Sequence, residues 1–288
     1  MSLKKKKMMT DIKQLIKSAS SILTRSDAPE FEAYELVKFV FGLTKTDIIL
    51  KPLRELSDDN IAYFQSLIKK RSEGYPLQYI LGEWDFFGNT FKVNEGVLIP
   101  RSETEQIADR ACSLLKNKKS AVVFDICSGS GCIGLSVAVN NPYCKVYLFD
   151  ISTEALDCCK KNVELLSVNN AEILNYDMFL GFDVNVLPRP DMILSNPPYV
   201  TEDEFETLEK EIFYEPKNAI VADGDALGFY RCLSEKWLPY LNKNGFFMFE
   251  SGEGQPEEIV KMIDGDFDIK TEPDMYGVNR FVSGVRRE

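Results

Sequence analysis

Residues 121–134 read AVVFDICSGSGCIG, an apolar run of strand length that breaks into serine and glycine and then resumes as an apolar helical pattern. That order is the mark of a β-strand entering a tight turn and then a helix. Glycines allow the backbone to turn sharply and approach a ligand, and the first helical turn offers unpaired N–H groups. The same strand, turn, helix order recurs downstream. Strands are predicted at 121–126, 145–149, 172–175, 191–195 and 245–250, with helices near 133–140, 153–166, 226–241 and 256–263. Short apolar strands alternating with helices imply an α/β fold with a parallel sheet covered on both faces, and ligands then bind at the carboxyl ends of the strands.

Upstream the pattern is different. From Asp11 to about Glu73 apolar residues recur at helical spacing: Ile12, Leu15, Ile16, Ala19; Phe31, Tyr34, Val37, Phe41; Ile61, Phe64, Leu67, Ile68. Ser57-Asp58-Asp59 supplies helix caps, and Gly42 and Gly74 stand where helices should stop. Residues 1–83 are therefore expected to form a small helical domain. Trp84–Phe87 and Thr90–Val93 flank Gly88-Asn89, a two-residue hairpin signal. The expected organisation is a helical domain at 1–83, a linking β-hairpin at 84–98 and a sheet domain at 99–288. Phe86, Phe87 and Phe91 are expected to fill an interdomain core.

Composition narrows the function classes. Hydrophobic residues make up 44% of the 288 and charged residues 27%, which is the globular average. No stretch has the length of a membrane span, and no apolar core follows the basic start MSLKKKKMMT, so a cytoplasmic protein is expected. The lysines at 4–7 read as a solvated tail. Residues 1–83 carry 14 Lys+Arg against 11 Asp+Glu, a balance of +3, which leaves −14 of the total −11 on the remainder. So acidic a sheet domain argues against duplex nucleic acid as the main partner. The seven cysteines are an odd number without a C-x-x-C pair, and reduced thiols are expected. There is no histidine, which removes the commonest metal ligand and the commonest general base together. No metal site is expected.

Gly129-x-Gly131-x-x-Gly134 matches the spacing of dinucleotide-binding turns, though glycines in a tight βα turn alone would match it too. Asp150 ends the second strand, 19 residues after Gly131, where a carboxylate can accept both hydroxyls of an adenosine ribose. Asp125, ahead of the glycines, is expected to contact the cofactor, where an acid faces a cationic or amine-bearing ligand better than a pyrophosphate, which would set like charges close together. S-adenosylmethionine fits better, having ribose hydroxyls, an amino group and a sulfonium but no phosphate. Asp177 and Met178 follow the third strand near the expected adenine; ordinary loop chemistry is the alternative there.

The fourth strand runs into Asn196-Pro197-Pro198-Tyr199. Asn-Pro is a common turn initiator, so a plain turn is one reading. The other is a holder for a planar nitrogen, whose delocalised lone pair makes it a poor nucleophile. If the Asn196 side-chain oxygen and the Pro197 carbonyl each accept one N–H, the lone pair is aimed at a methyl carbon, and those bonds strengthen as positive charge develops. The two prolines hold that carbonyl rigid and offer no competing donor. Tyr199 can present a π face to the developing cation.

The runs PLQYILGEWDFFGNTFKVNEGVLIPRSETE, DICSGSGCIGL, FDIS, NYDMF, SNPPYV and YEP resemble the peptide chain release factor glutamine methyltransferases over most of residues 75–288. The resemblance implies a Rossmann-like S-adenosylmethionine methyltransferase domain, preceded by a helical domain that helps grip the release factor. The implied reaction methylates the side-chain amide nitrogen of the glutamine in a Gly-Gly-Gln motif. It assigns the methionine end of the cofactor to Cys127, Ser128, Gly129, Ser130 and Gly131, the ribose to Asp150, the adenine side to Met178, and the target amide to Asn196, Pro197, Pro198 and Tyr199. A monomer acting on the release factor is expected. Cys127 departs from the family's usual glycine and Ser102 from its proline. A methyltransferase of a nucleobase exocyclic amine is the alternative with the same Asn-Pro-Pro-Tyr turn, and a binding module without catalysis is a third reading. Arg101 and Glu103 are expected to pair with each other or to orient the pocket.

Overall fold

The computed structural model describes residues 7–222, 224–263 and 265–288, with the backbone alone at Lys7 and Met8; Lys4, Lys5 and Lys6 of the lysine tail lie outside these residues. The chain divides into two units, one of Met1–Gly82 with Lys210–Tyr214 and the other of Glu83–Glu209 with Glu215–Glu288. None of the described helices is long and apolar enough to cross a membrane.

The first unit comprises β1 (Lys7–Asp11), α1 (Ile12–Ser20), α2 (Pro29–Phe41), α3 (Lys45–Leu50), β2 (Leu53–Ser57), α4 (Asp58–Ser72) and α5 (Leu77–Leu81). Local chemistry sets its boundaries. Asp11 caps α1 by accepting the Lys13 and Gln14 N–H groups, Ser57 caps α4, and Gly42 ends α2 at φ 66° in the left-handed region. Ile12, Leu36, Val37, Phe64 and Ile68 are buried, so the helical periodicity does mark a core. The antiparallel pair β1–β2 is not anticipated by that periodicity. Arg71 is buried with a fork of two 2.8 Å bonds to Glu32 and a 2.7 Å contact to Glu211 in the inserted segment.

The second unit begins with the hairpin β3 (Glu83–Phe86) and β4 (Asn89–Lys92), followed by α6 (Glu105–Leu115), β5 (Val122–Ile126), α7 (Cys132–Asn140), β6 (Lys145–Asp150), α8 (Thr153–Leu165), β7 (Ala171–Asn175) and β8 (Met192–Ser195). It ends with α9 (Glu202–Phe205), α10 (Gly228–Cys232), β9 (Phe246–Glu250), α11 (Pro256–Met262), β10 (Phe267–Pro273) and β11 (Asn279–Arg286). Phe86 opposes Asn89, so the hairpin turn is Phe87-Gly88, one residue earlier than expected. Both turn residues have positive φ, 47° and 74°, as a type I′ turn demands, and the Phe87 N–H donates to Glu105. Phe86 and Phe91 pack edge to face inside this unit with Ile107, Ala108 and Ala111 of α6, and Phe87 packs partly buried against the same cluster; the expected interdomain core is thus a core of the sheet unit.

The seven-stranded sheet has the order β10-β11-β9-β8-β5-β6-β7. The five predicted strands are present and mutually parallel, but β11 runs antiparallel to β9 and β10 antiparallel to β11, so the sheet is mixed. Aliphatic side chains of β5 and β6 meet α6 and α7 on one face, and Phe124, Phe149, Phe247 and Trp237 fill the other. The chain leaves β5 toward β6 on one side and returns as β8 on the other. That reversal opens a crevice at the carboxyl ends of β5 and β8.

Candidate active site

The turn after β5 is built to bring backbone close to whatever fills that crevice. Gly129 and Gly131 have φ of 55° and 79°, and a Cβ at Gly131 would stand 2.7 Å from Cys159 Sγ. Gly134 lets α7 press on the sheet, since a Cβ there would lie 2.4 Å from Leu148. Cys127 takes the left-handed φ of 60° without being glycine, and its Sγ lies 3.5 Å from Met178 Sδ. Cys127, Ser128, Gly129 and Ser130 line a cleft together with Asp150, Tyr176, Asp177, Met178, Phe179, Asn196, Pro198 and Thr104.

Asp150 is one of the residues lining this cleft. Its Oδ2 accepts the Gly129 N–H at 2.8 Å and its Oδ1 the Ser152 N–H at 2.9 Å, and burial raises its pKa. Each carboxylate oxygen retains a further lone-pair site. The Ser128 and Ser130 hydroxyls are buried without a hydrogen-bond partner in the protein. Two unsatisfied hydroxyls, a carboxylate and exposed turn backbone suit a polar, phosphate-free ligand such as S-adenosylmethionine.

Asp125 is corrected by the structure. It is fully buried and does not line the cleft; Oδ2 accepts the Gly134 N–H at 2.8 Å, while Oδ1 is buried without a partner. Burial pushes this carboxyl up to about 7, against the pull of the Gly134 N–H, with Asp150 adding to the rise. It fastens α7 to β5 beneath the turn. Asp177 lines the cleft while capping the short turn at Met178–Leu180, its Oδ1 accepting from the Phe179 N–H. The Met178 carbonyl accepts from Trp237 Nε1 at 2.9 Å, so the backbone oxygen is committed, and Met178 is among the residues that line the cleft.

Of the Asn-Pro-Pro-Tyr turn, Asn196 and Pro198 line the cleft, and Pro197 and Tyr199 are not among the lining residues. The Asn196 Nδ2 donates to Thr104 Oγ1 at 3.3 Å, and Thr104 Oγ1 donates to Glu250 Oε2 at 2.6 Å. Tyr199 donates its hydroxyl to Glu250 Oε1 at 3.4 Å. Burial, with Glu250 beside it, pushes the Tyr199 phenol well up, so it is a neutral donor. Burial also pushes the Glu250 carboxyl up to about 7, opposed by the Thr104 bond and Arg280. Sequence spacing does not reveal Thr104 or Glu250. Neither does it place Glu215, which accepts the Ile99 N–H at 2.9 Å and pairs with Arg101, fixing the segment that brings Pro100 and Arg101 to the cleft.

Residues 105–229 match the family described as methyltransferase small domain, and residues 14–82 match the PrmC N-terminal domain. With the Rossmann-like sheet and its glycine turn, this makes the chain a methyltransferase. The release factor glutamine methyltransferase of Flavobacterium psychrophilum is 33% identical over 93% of this chain and 95% of its own length. That of Bacillus cereus is 31% identical over 93% and 97%, and that of Fusobacterium nucleatum 35% over 83% and 68%. The chain belongs to the release factor glutamine methyltransferase family.

Proposed function

We propose that this enzyme transfers the methyl group of S-adenosylmethionine to the side-chain amide nitrogen of the glutamine in the Gly-Gly-Gln motif of a peptide chain release factor. The observation that carries this reading is the orientation of Asn196. Its NH₂ is held by Thr104, which leaves Oδ1 as an acceptor at a cleft whose other end is the glycine turn and Asp150. An acceptor so placed binds the N–H of a neutral amide and suits neither a carboxylate nor a phosphate. The names of relatives matched along nearly their whole length support glutamine over a nucleobase amine as the target.

The bound cofactor would supply an electrophilic methyl on a sulfonium. Asp150 would accept its ribose hydroxyls, the Ser128 and Ser130 hydroxyls would bond its polar end, and Met178 and Phe179 would flank the adenine. Asn196 Oδ1 and the Pro197 carbonyl would each accept one N–H of the glutamine. Both bonds gain strength as the nitrogen becomes positive, which lowers the barrier more than it tightens ground-state binding. Fixing both partners in line could contribute about 7–11 kcal/mol. The proton can leave to water after transfer, so a chain without histidine lacks nothing it needs. The unit containing Met1–Gly82 is assigned to gripping the release factor.

The test is incubation with methyl-labelled cofactor and a release factor, with the glutamine of its Gly-Gly-Gln motif intact or replaced. Label in the intact protein alone is the expected result. Equal labelling of both, or preferential labelling of RNA or DNA, would overturn the assignment.

A further inference from the structure

Thr104 occupies the N-cap position of α6, where a threonine hydroxyl normally accepts a backbone N–H, yet its side chain makes no capping bond. It is spent instead on a contact across 146 residues of sequence, donating to Glu250 at the end of β9. Both residues are 2% exposed, so water does not compete for these atoms. A hydroxyl has a single proton. Once that proton is committed to the carboxylate, Thr104 can only accept from its other neighbour, and that neighbour is the Asn196 carboxamide.

We propose that Thr104 and Glu250 are positioning residues that dictate which way the Asn196 carboxamide faces, turning its oxygen toward the substrate amide. Direction passes along the chain: the Thr104 hydroxyl donates to Glu250 Oε2 and so can only accept from Asn196, which therefore presents NH₂ to Thr104 and Oδ1 to the cleft. A carboxamide flipped by 180° would offer two donors to the target NH₂ and repel it. The second Glu250 oxygen takes the Tyr199 hydroxyl, so a single carboxylate steadies both ends of the Asn196–Tyr199 turn. This inference rests on reading Asn196 as the acceptor for the target amide.

The experiment compares Thr104→Val, Thr104→Ser, Glu250→Gln and Asn196→Ala by kcat and KM on a release factor, by calorimetric cofactor affinity and by thermal melting. Thr104→Val keeps the shape and removes the relay; kcat should fall by roughly 10- to 100-fold, with cofactor affinity within about twofold of the parent. Thr104→Ser restores the hydroxyl and should recover most of kcat. Glu250→Gln can donate as well as accept, so it should lower kcat while leaving cofactor affinity in place. The relay is overturned if Thr104→Val keeps the parent kcat, if cofactor affinity falls in step with turnover, or if serine does no better than valine. Should the valine variant not fold, Glu250→Gln and Thr104→Ser decide the matter by the same split between kcat and affinity. If Asn196→Ala turns over like the parent, the clamp itself fails; if it loses turnover while Thr104→Val does not, only the relay fails.

Discussion

The Asp150 carboxylate accepts the Gly129 N–H at 2.8 Å, so the tip of β6 holds the turn that follows β5 in its ligand-facing shape. The same group is the expected ribose acceptor, and its removal strikes the site twice. A hydrogen bond to a charged group is worth about 1.5–3 kcal/mol, so Asp150→Ala should weaken S-adenosylmethionine binding by roughly 10- to 100-fold. Asp150→Asn, which keeps one acceptor for Gly129, should lose less. Calorimetric titration reads both, and an unchanged Kd for the alanine variant would remove Asp150 from the cofactor site.

Asp125 makes stability depend on pH. Its folded carboxyl is pushed up to about 7 from an ordinary value of 3.8, chiefly by burial. The native state therefore holds a proton that the unfolded chain has already released. Its contribution is fully present below about pH 4 and is lost as pH rises through about 7, with a slope of up to about 1.4 kcal/mol per pH unit in that window. Asp125→Asn can still accept from Gly134 and does not titrate, so urea midpoints at pH 5 and pH 8 should lie closer together than in the parent. Glu250, also pushed up to about 7 by burial, leaves a residual decline in the same direction. An equal drop in both proteins would show that Asp125 is not protonated in the fold.

What the sequence could reveal follows the range of the interactions. Strands β5, β6, β7, β8 and β9 are short apolar runs closed by glycine, aspartate or asparagine, and a buried parallel sheet admits little else. β10 was hidden by charge: Asp268, Lys270 and Glu272 alternate with Phe267, Ile269 and Thr271, the pattern of a half-exposed edge strand that can pass for a polar loop. α6 begins without a capping bond because Thr104 is used elsewhere, so the ordinary start signal is absent. The glycine turn is legible because its backbone takes left-handed φ, and Asp150 and Asn196 because they stand at or just past the carboxyl ends of predicted strands. Glu215 and Glu250 are not, because Ile99, Arg101 and Thr104, which they hold in place, lie more than a hundred residues away in sequence.

Cys127 sits at φ 60°, a conformation that glycine adopts freely and a side chain does not. Cys127→Gly relieves about 1–2 kcal/mol of strain but adds about 0.5–1 kcal/mol of unfolded-state entropy, so its stability should stay within about 1 kcal/mol of the parent. Cys127→Val brings a β-branched side chain to a left-handed residue and should cost about 2 kcal/mol or more. Thermal melting distinguishes them, and a valine variant as stable as the glycine variant would mean that the turn relaxes out of this geometry.

In the amino-terminal unit, Arg71 and Glu32 have side chains only 9% and 11% exposed, and Glu211 adds a second carboxylate to the same guanidinium. Removing the cation strands the carboxylates. Arg71→Met should therefore destabilise the fold by about 3–5 kcal/mol. The double variant Arg71→Met with Glu32→Leu removes the buried charge along with its partner and should recover most of that loss, since Glu211 at 28% exposure can turn to water. Thermal melting of the two variants decides between a pair that supplies net stability and one that matters only when half of it is missing. A double variant as unstable as the single one would favour the first, because the cost would then lie in the lost attraction itself and not in an uncompensated charge.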